Sequence, residues 1–143
     1  MADEHRVFFD FVVLGEPASK SNQRRIVRFG KVSRLIKSEK ALKYTDSFKQ
    51  QIQSLPLADP LDCDVALRID FWYASRRPDL AGMDLIMDLL QGVCYLNDRS
   101  VKISASTWSL DKLNPRVRIR CAALASSGDV DYNESDLGIL WKG

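Results

Sequence analysis

Apolar and polar positions along this chain repeat with two periods, and the changes of period mark its elements. CDVALRIDFWY is the clearest strand pattern. Cys63, Val65, Leu67, Ile69, Phe71 and Tyr73 fall on one side, with Asp64, Arg68, Asp70 and Trp72 on the other. RVRIRCAAL follows the Asn114-Pro115 turn signal and alternates again, putting Arg116, Arg118 and Arg120 on one face, most simply a solvated one, with DNA contact the alternative. Arg6 to Leu14, rich in Val and Phe, suits a mostly buried strand that ends at Gly15, Glu16, Pro17 and Ala18. IVRFGKVSRLI has a Gly-Lys centre between apolar and basic residues, which predicts a hairpin. Ser38 suits the N-cap of a helix running to about Ser54, in which Ala41, Thr45, Phe48, Ile52 and Leu55 recur at intervals of four and three. After Asp98, DRSVKISASTWSL reads either as a short helical start followed by a strand or as one irregular strand.

The order is strand, hairpin, helix, strand, helix, then one or two strands. That predicts an α+β domain over residues 1–125, a mixed sheet packed by two main helices. Residues 126–143 are polar and acidic and read as a loosely held tail, whose Leu137 to Trp141 patch is available to dock on the body or on a partner.

The stretch RRPDLAGMDLIMDLLQGVCYLND, Arg76 to Asp98, carries the candidate chemistry. As a helix from about Met83 to Gln91, it places Asp84, Asp88 and Gln91 on one narrow stripe. Met83, Leu85, Ile86, Met87, Leu89 and Leu90 cover nearly everything else. Two carboxylates at that spacing repel, so a positive group is expected opposite, either an arginine or a divalent metal. Asp79 and Asp98 at the two ends add to the cluster. Hard cations such as Mg²⁺ are held by a few carboxylates together with waters and substrate phosphates. Asp70, on the polar face of the preceding strand, is a further candidate for the metal but reads first as a cross-strand partner of a basic residue.

Charge adds the partner. The chain has 143 residues, enough for one domain with a core, and a formal net charge of only +2. Its arrangement is uneven: ten Lys and Arg lie between Lys20 and Lys49 against Glu39 and Asp46, whereas Asp129 to Asp136 is acidic. A basic segment beside an acidic cluster suits an anionic polymer that needs both neutralisation and a metal. Lys40, Lys43 and Lys49 read as a solvated helix face. Lys20, Arg24, Arg25, Arg76 and Arg77 sit in or beside loops and read as phosphate contacts. Trp72 and Trp108 read as core or interface residues.

Cys63, Cys94 and Cys121 are widely spaced and flanked by apolar residues, which predicts buried free thiols in a reducing compartment. With His5 the one histidine, no zinc pattern forms. MADEHRVFFDF lacks the basic start of a signal peptide, and no segment is long enough to span a membrane, so a soluble, cytoplasmic protein is expected.

Three pieces, in this order, resemble the RusA family of Holliday junction resolvases: GEPASKSNQRRIV, RLIKSEKALKYTDSF and RRPDL…LIMDLLQGVCYLNDRSVK. The resemblance runs from about Phe8 to Leu124. It implies a small homodimer that cleaves four-way DNA junctions with Mg²⁺, or Mn²⁺ as a substitute, held by aspartates. Carried over by motif, Asp79 matches the first aspartate of the family pattern, Asp88 the helix aspartate before Leu-Gln-Gly, and Asp98 the last. Where the family has its second aspartate stands Ala81, so either Asp84 takes that place or the site is one carboxylate short. Positions where many members carry a helix lysine are apolar or acidic here.

The resemblance thus implies Asp79, Asp84, Asp88 and Asp98 as catalytic residues, with Asp79, Asp84 and Asp98 on the metal. The DNA contacts expected are Lys20, Asn22, Arg24, Arg25, Arg76, Arg77, Arg99 and Lys102. Two other readings stay open. One is a branched-DNA-binding protein of this fold with weak or lost cleavage. The other is a non-catalytic dimeric interaction module whose Asp84 and Asp88 pair with arginines.

Overall fold

The computed structural model describes residues 8–17, 24–29, 32–37, 39–75 and 82–124, with the backbone alone for 24–29 and 32–37. Its elements are β1 (Phe8–Leu14), β2 (Arg24–Phe29), β3 (Val32–Lys37), α1 (Glu39–Gln53), β4 (Val65–Tyr73), α2 (Gly82–Leu89), a 3-10 turn (Asp98–Ser100), β5 (Val101–Leu110) and β6 (Arg116–Ala123). The main sheet is mixed, in the order β1-β6-β4-β5. β6 runs antiparallel to both β1 and β4, and β5 runs parallel to β4. The β4-α2-β5 connection is therefore a crossover, as parallel neighbours require. β2 and β3 pair as the antiparallel hairpin expected around Gly30-Lys31. For DRSVKISASTWSL the first of the two alternatives holds: a helical turn, then a strand.

Strand register builds the core row by row. Phe9, Cys121 and Leu67 align, then Phe11, Ile119 and Ile69, then Val13, Val117 and Phe71. α1 lays Ala41, Tyr44 and Phe48 onto this face, and α2 adds Leu85 and Ile86. Tyr44 joins the predicted apolar stripe of α1 because its position, three after Ala41, lies on the same helix face. β1 corrects the expectation of a mostly buried strand. It alternates exposed and buried along its length, because it is an edge strand with one face on the core. β4 departs the other way: as a central strand it is buried on both faces except at Arg68 and Trp72.

The opposite face of the sheet corrects the reading of Arg116, Arg118 and Arg120 as a solvated ladder. Arg120 is 2% exposed and donates to Asp70 Oδ2 at 2.6 Å. Asp70 also accepts from Thr107 Oγ1 at 2.6 Å and Arg68 Nε at 3.1 Å. Arg118 forms a two-pronged pair with Asp10 at 2.9 and 2.8 Å. Arg116 bonds Asp111 at 2.7 Å and lies over the Trp72 ring at 4.2 Å. Asp70 is thus the cross-strand partner its position suggested. Neither Trp72 nor Trp108 lies in the core: Trp72 is half-buried under Arg116, and Trp108 is exposed on edge strand β5. Cys94 and Cys121 are buried free thiols. Cys63 is free but exposed, since it lies before β4 begins rather than within it.

This charged face makes an acid prediction. Burial pushes the Asp70 carboxyl up, but its bonds from Thr107, Arg120 and Arg68 outweigh burial and hold it below the ordinary aspartate value of 3.8. The Arg118 bond holds Asp10 below 3.8 as well. A depressed native value contributes stability that is present above the unfolded value and is lost as pH falls through the native one. The urea midpoint should therefore stay level near neutrality and drop once pH passes below 3.8. A midpoint unchanged down to about pH 2 would refute the linkage.

Among the described residues, no helix is long and apolar enough to cross a membrane.

Candidate active site

Two glycines place α2. A Cβ at Gly82 would lie 3.2 Å from both Phe71 Cε1 and Tyr73 Oη, and 3.4 Å from Pro17 Cβ. Glycine therefore lets the first turn of α2 sit directly on the end of β4 and beside the chain leaving β1. There Glu16 Oε2 accepts from the Ala74 N–H at 3.1 Å. Pro17, Tyr73 and Ala74 are thus gathered around the start of α2. At the other end Gly92, with φ +83°, supplies the left-handed residue that stops the helix. Its N–H donates to the Tyr95 carbonyl at 2.7 Å.

The loop after α2 is built rather than loose. Tyr95 is fully buried, and its hydroxyl donates to the Met87 carbonyl at 2.6 Å. Burial first, then the Cys94 and Cys121 thiols and the Asp98 and Asp88 carboxylates, push its phenol well above the ordinary value. It remains a neutral donor. Asn97 caps the 3-10 turn by accepting from the Arg99 N–H at 2.9 Å, and the Arg99 Nε folds back to the same oxygen at 3.4 Å. Lys102 Nζ donates to the Arg99 carbonyl at 2.9 Å.

On α2 the predicted stripe is present. Leu85 and Ile86 are buried, Met83, Met87 and Leu89 partly so, and Asp84 and Asp88 are exposed. Among the described residues, what stands against Asp88 is an amide, not a cation. Gln91 Nε2 donates to Asp88 Oδ1 at 2.9 Å, while its Oε1 accepts from the Asp98 N–H at 3.1 Å. No described lysine or arginine pairs with Asp84, Asp88 or Asp98. Asp84 sits in the first turn, where the helix dipole favours a carboxylate.

Of the predicted site residues, the structure brings Asp88 and Asp98 together through Gln91, with Asp84 one turn up the helix and Arg99 and Lys102 beside Asp98. Asp79, Lys20, Asn22, Arg76 and Arg77 lie outside the described residues, as does Ala81. Arg24 and Arg25 start β2, opposite Lys37 and Ile36, with their backbone alone described. Gln91 is the member whose role the sequence reading missed. Its signal was its place on the Asp84–Asp88 stripe, three residues after Asp88.

The family model for endodeoxyribonuclease RusA matches residues 15–122, which takes in β2 to β5, both helices, the Arg76 to Asp98 segment and most of β6. The chain belongs to the RusA family. No curated protein matches it. RusA membership implies endodeoxyribonuclease activity of the Holliday junction resolvase kind, and resolvases of this family are in general metal-dependent. The donors of this RusA chain fit a hard cation in kind: exposed carboxylates, with a neutral amide as the described partner of Asp88. Among the described residues no three His, Cys, Asp or Glu side chains form a group able to hold an ion.

Proposed function

We propose that this RusA-family protein resolves four-way DNA junctions by paired, symmetric phosphodiester cleavage, using Mg²⁺ or Mn²⁺. The observation that carries the reading is the Asp88–Gln91–Asp98 link. It joins the carboxylate stripe of α2 to the last family aspartate in one exposed, hydrogen-bonded unit. Asp79, Asp84 and Asp98 would hold the cation, and Asp88, already engaged by Gln91, orients the set from behind. A divalent cation there supplies positive charge opposite the developing phosphorane and acidifies a water. Arg99 and Lys102, beside Asp98, bind the flanking phosphates, with Lys20, Asn22, Arg24, Arg25, Arg76 and Arg77 extending that track. Paired cuts on opposed strands need two equivalent sites, which a C₂ homodimer supplies.

The test is a labelled four-way junction incubated with protein across a Mg²⁺ titration. Paired, ligatable nicks on opposed strands are expected. Binding in Ca²⁺ without nicks in Mg²⁺ would favour the binding-only reading, and no binding would favour the interaction module.

The electrostatic track makes its own prediction. Each phosphate contact removed lowers the slope of log K against log salt by somewhat under one unit. The double variant Arg24→Ala with Arg25→Ala should weaken junction binding and flatten its salt dependence, with the oligomer unchanged by light scattering. An unchanged slope would remove these two residues from the DNA surface.

A further inference from the structure

The geometry points to Gln91 as a positioning residue that holds Asp88 and the Asp98 loop in one fixed relation, an assignment that rests on the junction-cleaving reading above. Three observations carry it. Gln91 uses both ends of its amide between the two acidic segments, donating to Asp88 Oδ1 at 2.9 Å and accepting from the Asp98 N–H at 3.1 Å. Its own backbone is fixed at the helix end: its N–H donates to the Asp88 carbonyl at 3.3 Å, and it forms a β-bridge with Tyr95. Tyr95 in turn is anchored to Met87 on α2 by its hydroxyl and is fully buried. The amide therefore projects from a rigid base.

The arrangement answers a chemical problem. An arginine at this place would pair with the acidic side chains around it and compete with an incoming metal for their oxygens. A neutral amide can orient Asp88 through one N–H and leave its other oxygen lone pairs available. Because it takes the Asp98 backbone N–H rather than the Asp98 carboxylate, it sets the loop's position without consuming the putting-forward of that carboxylate. Only glutamine does both at this reach. Glutamate keeps the acceptor for the Asp98 N–H but sets a second anion against Asp88, alanine removes both bonds, and asparagine is one methylene short.

The experiment uses the full chain with three variants, Gln91→Ala, Gln91→Glu and Gln91→Asn. Partners that orient metal-binding carboxylates typically contribute ten- to hundred-fold in metal affinity or activity. Gln91→Ala should raise the Mg²⁺ concentration giving half-maximal junction cleavage by roughly tenfold, with junction affinity in Ca²⁺ unchanged. Gln91→Glu should be at least as impaired, with Asn intermediate. A second readout needs no metal and no DNA. In the metal-free protein, hydrogen exchange at the Asp98 amide should accelerate in Gln91→Ala and stay protected in Gln91→Glu, while the Tyr95 amide is unaltered in both. Equal Asp98 exchange in wild type and Gln91→Ala would overturn the clamp. So would a wild-type Mg²⁺ response in Gln91→Glu. If the wild type itself makes no nicks, the junction-cleaving reading fails, and the exchange measurement still decides whether the clamp exists.

Discussion

Asp98→Asn is expected to lower junction cleavage by roughly a hundredfold or more, beyond the usual effect of an outer partner, while junction binding in Ca²⁺ persists. The substitution is nearly isosteric, and the bond that places this residue runs from its backbone N–H to Gln91, so it survives the change. The 3-10 turn survives too, since Asn97 supplies its cap. What is lost is one negative charge at an exposed position, which weakens a hard cation directly. Asp79→Asn should behave the same way. Asp84 decides the register of the site. If it fills the place where Ala81 stands, Asp84→Asn falls as far as Asp98→Asn, and Ala81→Asp changes little. If the site is one carboxylate short, Ala81→Asp instead raises the rate or the Mg²⁺ affinity. The measurement is single-turnover cleavage of a labelled junction with a parallel gel shift in Ca²⁺. Cleavage by Asp98→Asn at the wild-type rate would remove this aspartate from the metal site.

Much of this was legible from spacing. The β4 and β6 alternation, the α1 stripe and the hairpin around Gly30-Lys31 were all readable from local period. So was the α2 stripe of Asp84, Asp88 and Gln91, because a helix of that composition has only one face for its polar residues. What local period does not carry is the neighbour across the sheet. The arginines of β6 alternate as a solvated face would, and only the neighbouring strands, which bring Asp70 within reach of Arg120 and Asp10 within reach of Arg118, show that they are paired. β4 likewise reads as half-wet because a central and an edge strand share the same period. Cys63 looked buried by its neighbours in sequence, but it stands before the strand starts. Gln91 was visible as a stripe position, yet its second partner, Asp98, is seven residues on, across a turn whose return depends on Gly92 and Tyr95.

The largest effect on stability is expected at Asp70. Asp70→Ala removes the carboxylate that Arg120, 2% exposed, bonds at 2.6 Å, so a buried cation loses its short ion pair. Breaking a buried pair from one side costs about 3–5 kcal/mol, because the remaining charge keeps its desolvation penalty and loses its compensation. Against a typical total of about 5–15 kcal/mol, that is a large share. The Arg118–Asp10 pair, one row away on the same face, is the internal control. Its side chains are 31% and 36% exposed, so solvent screens it, and Asp10→Ala should cost only about 0–1 kcal/mol. The two pairs have comparable N···O distances, 2.6 and 2.8 Å, but differ in burial and in the further bonds Asp70 accepts from Thr107 and Arg68. Removing both buried partners together, as Asp70→Leu with Arg120→Met, should recover most of the loss, since no unpaired charge is then left inside. Arg68 and Thr107, the other partners of Asp70, are less enclosed and turn to water. Urea unfolding of the three variants gives the comparison. An Asp70→Ala loss no larger than that of Asp10→Ala would mean that Arg120 finds solvent or another partner when its carboxylate is removed.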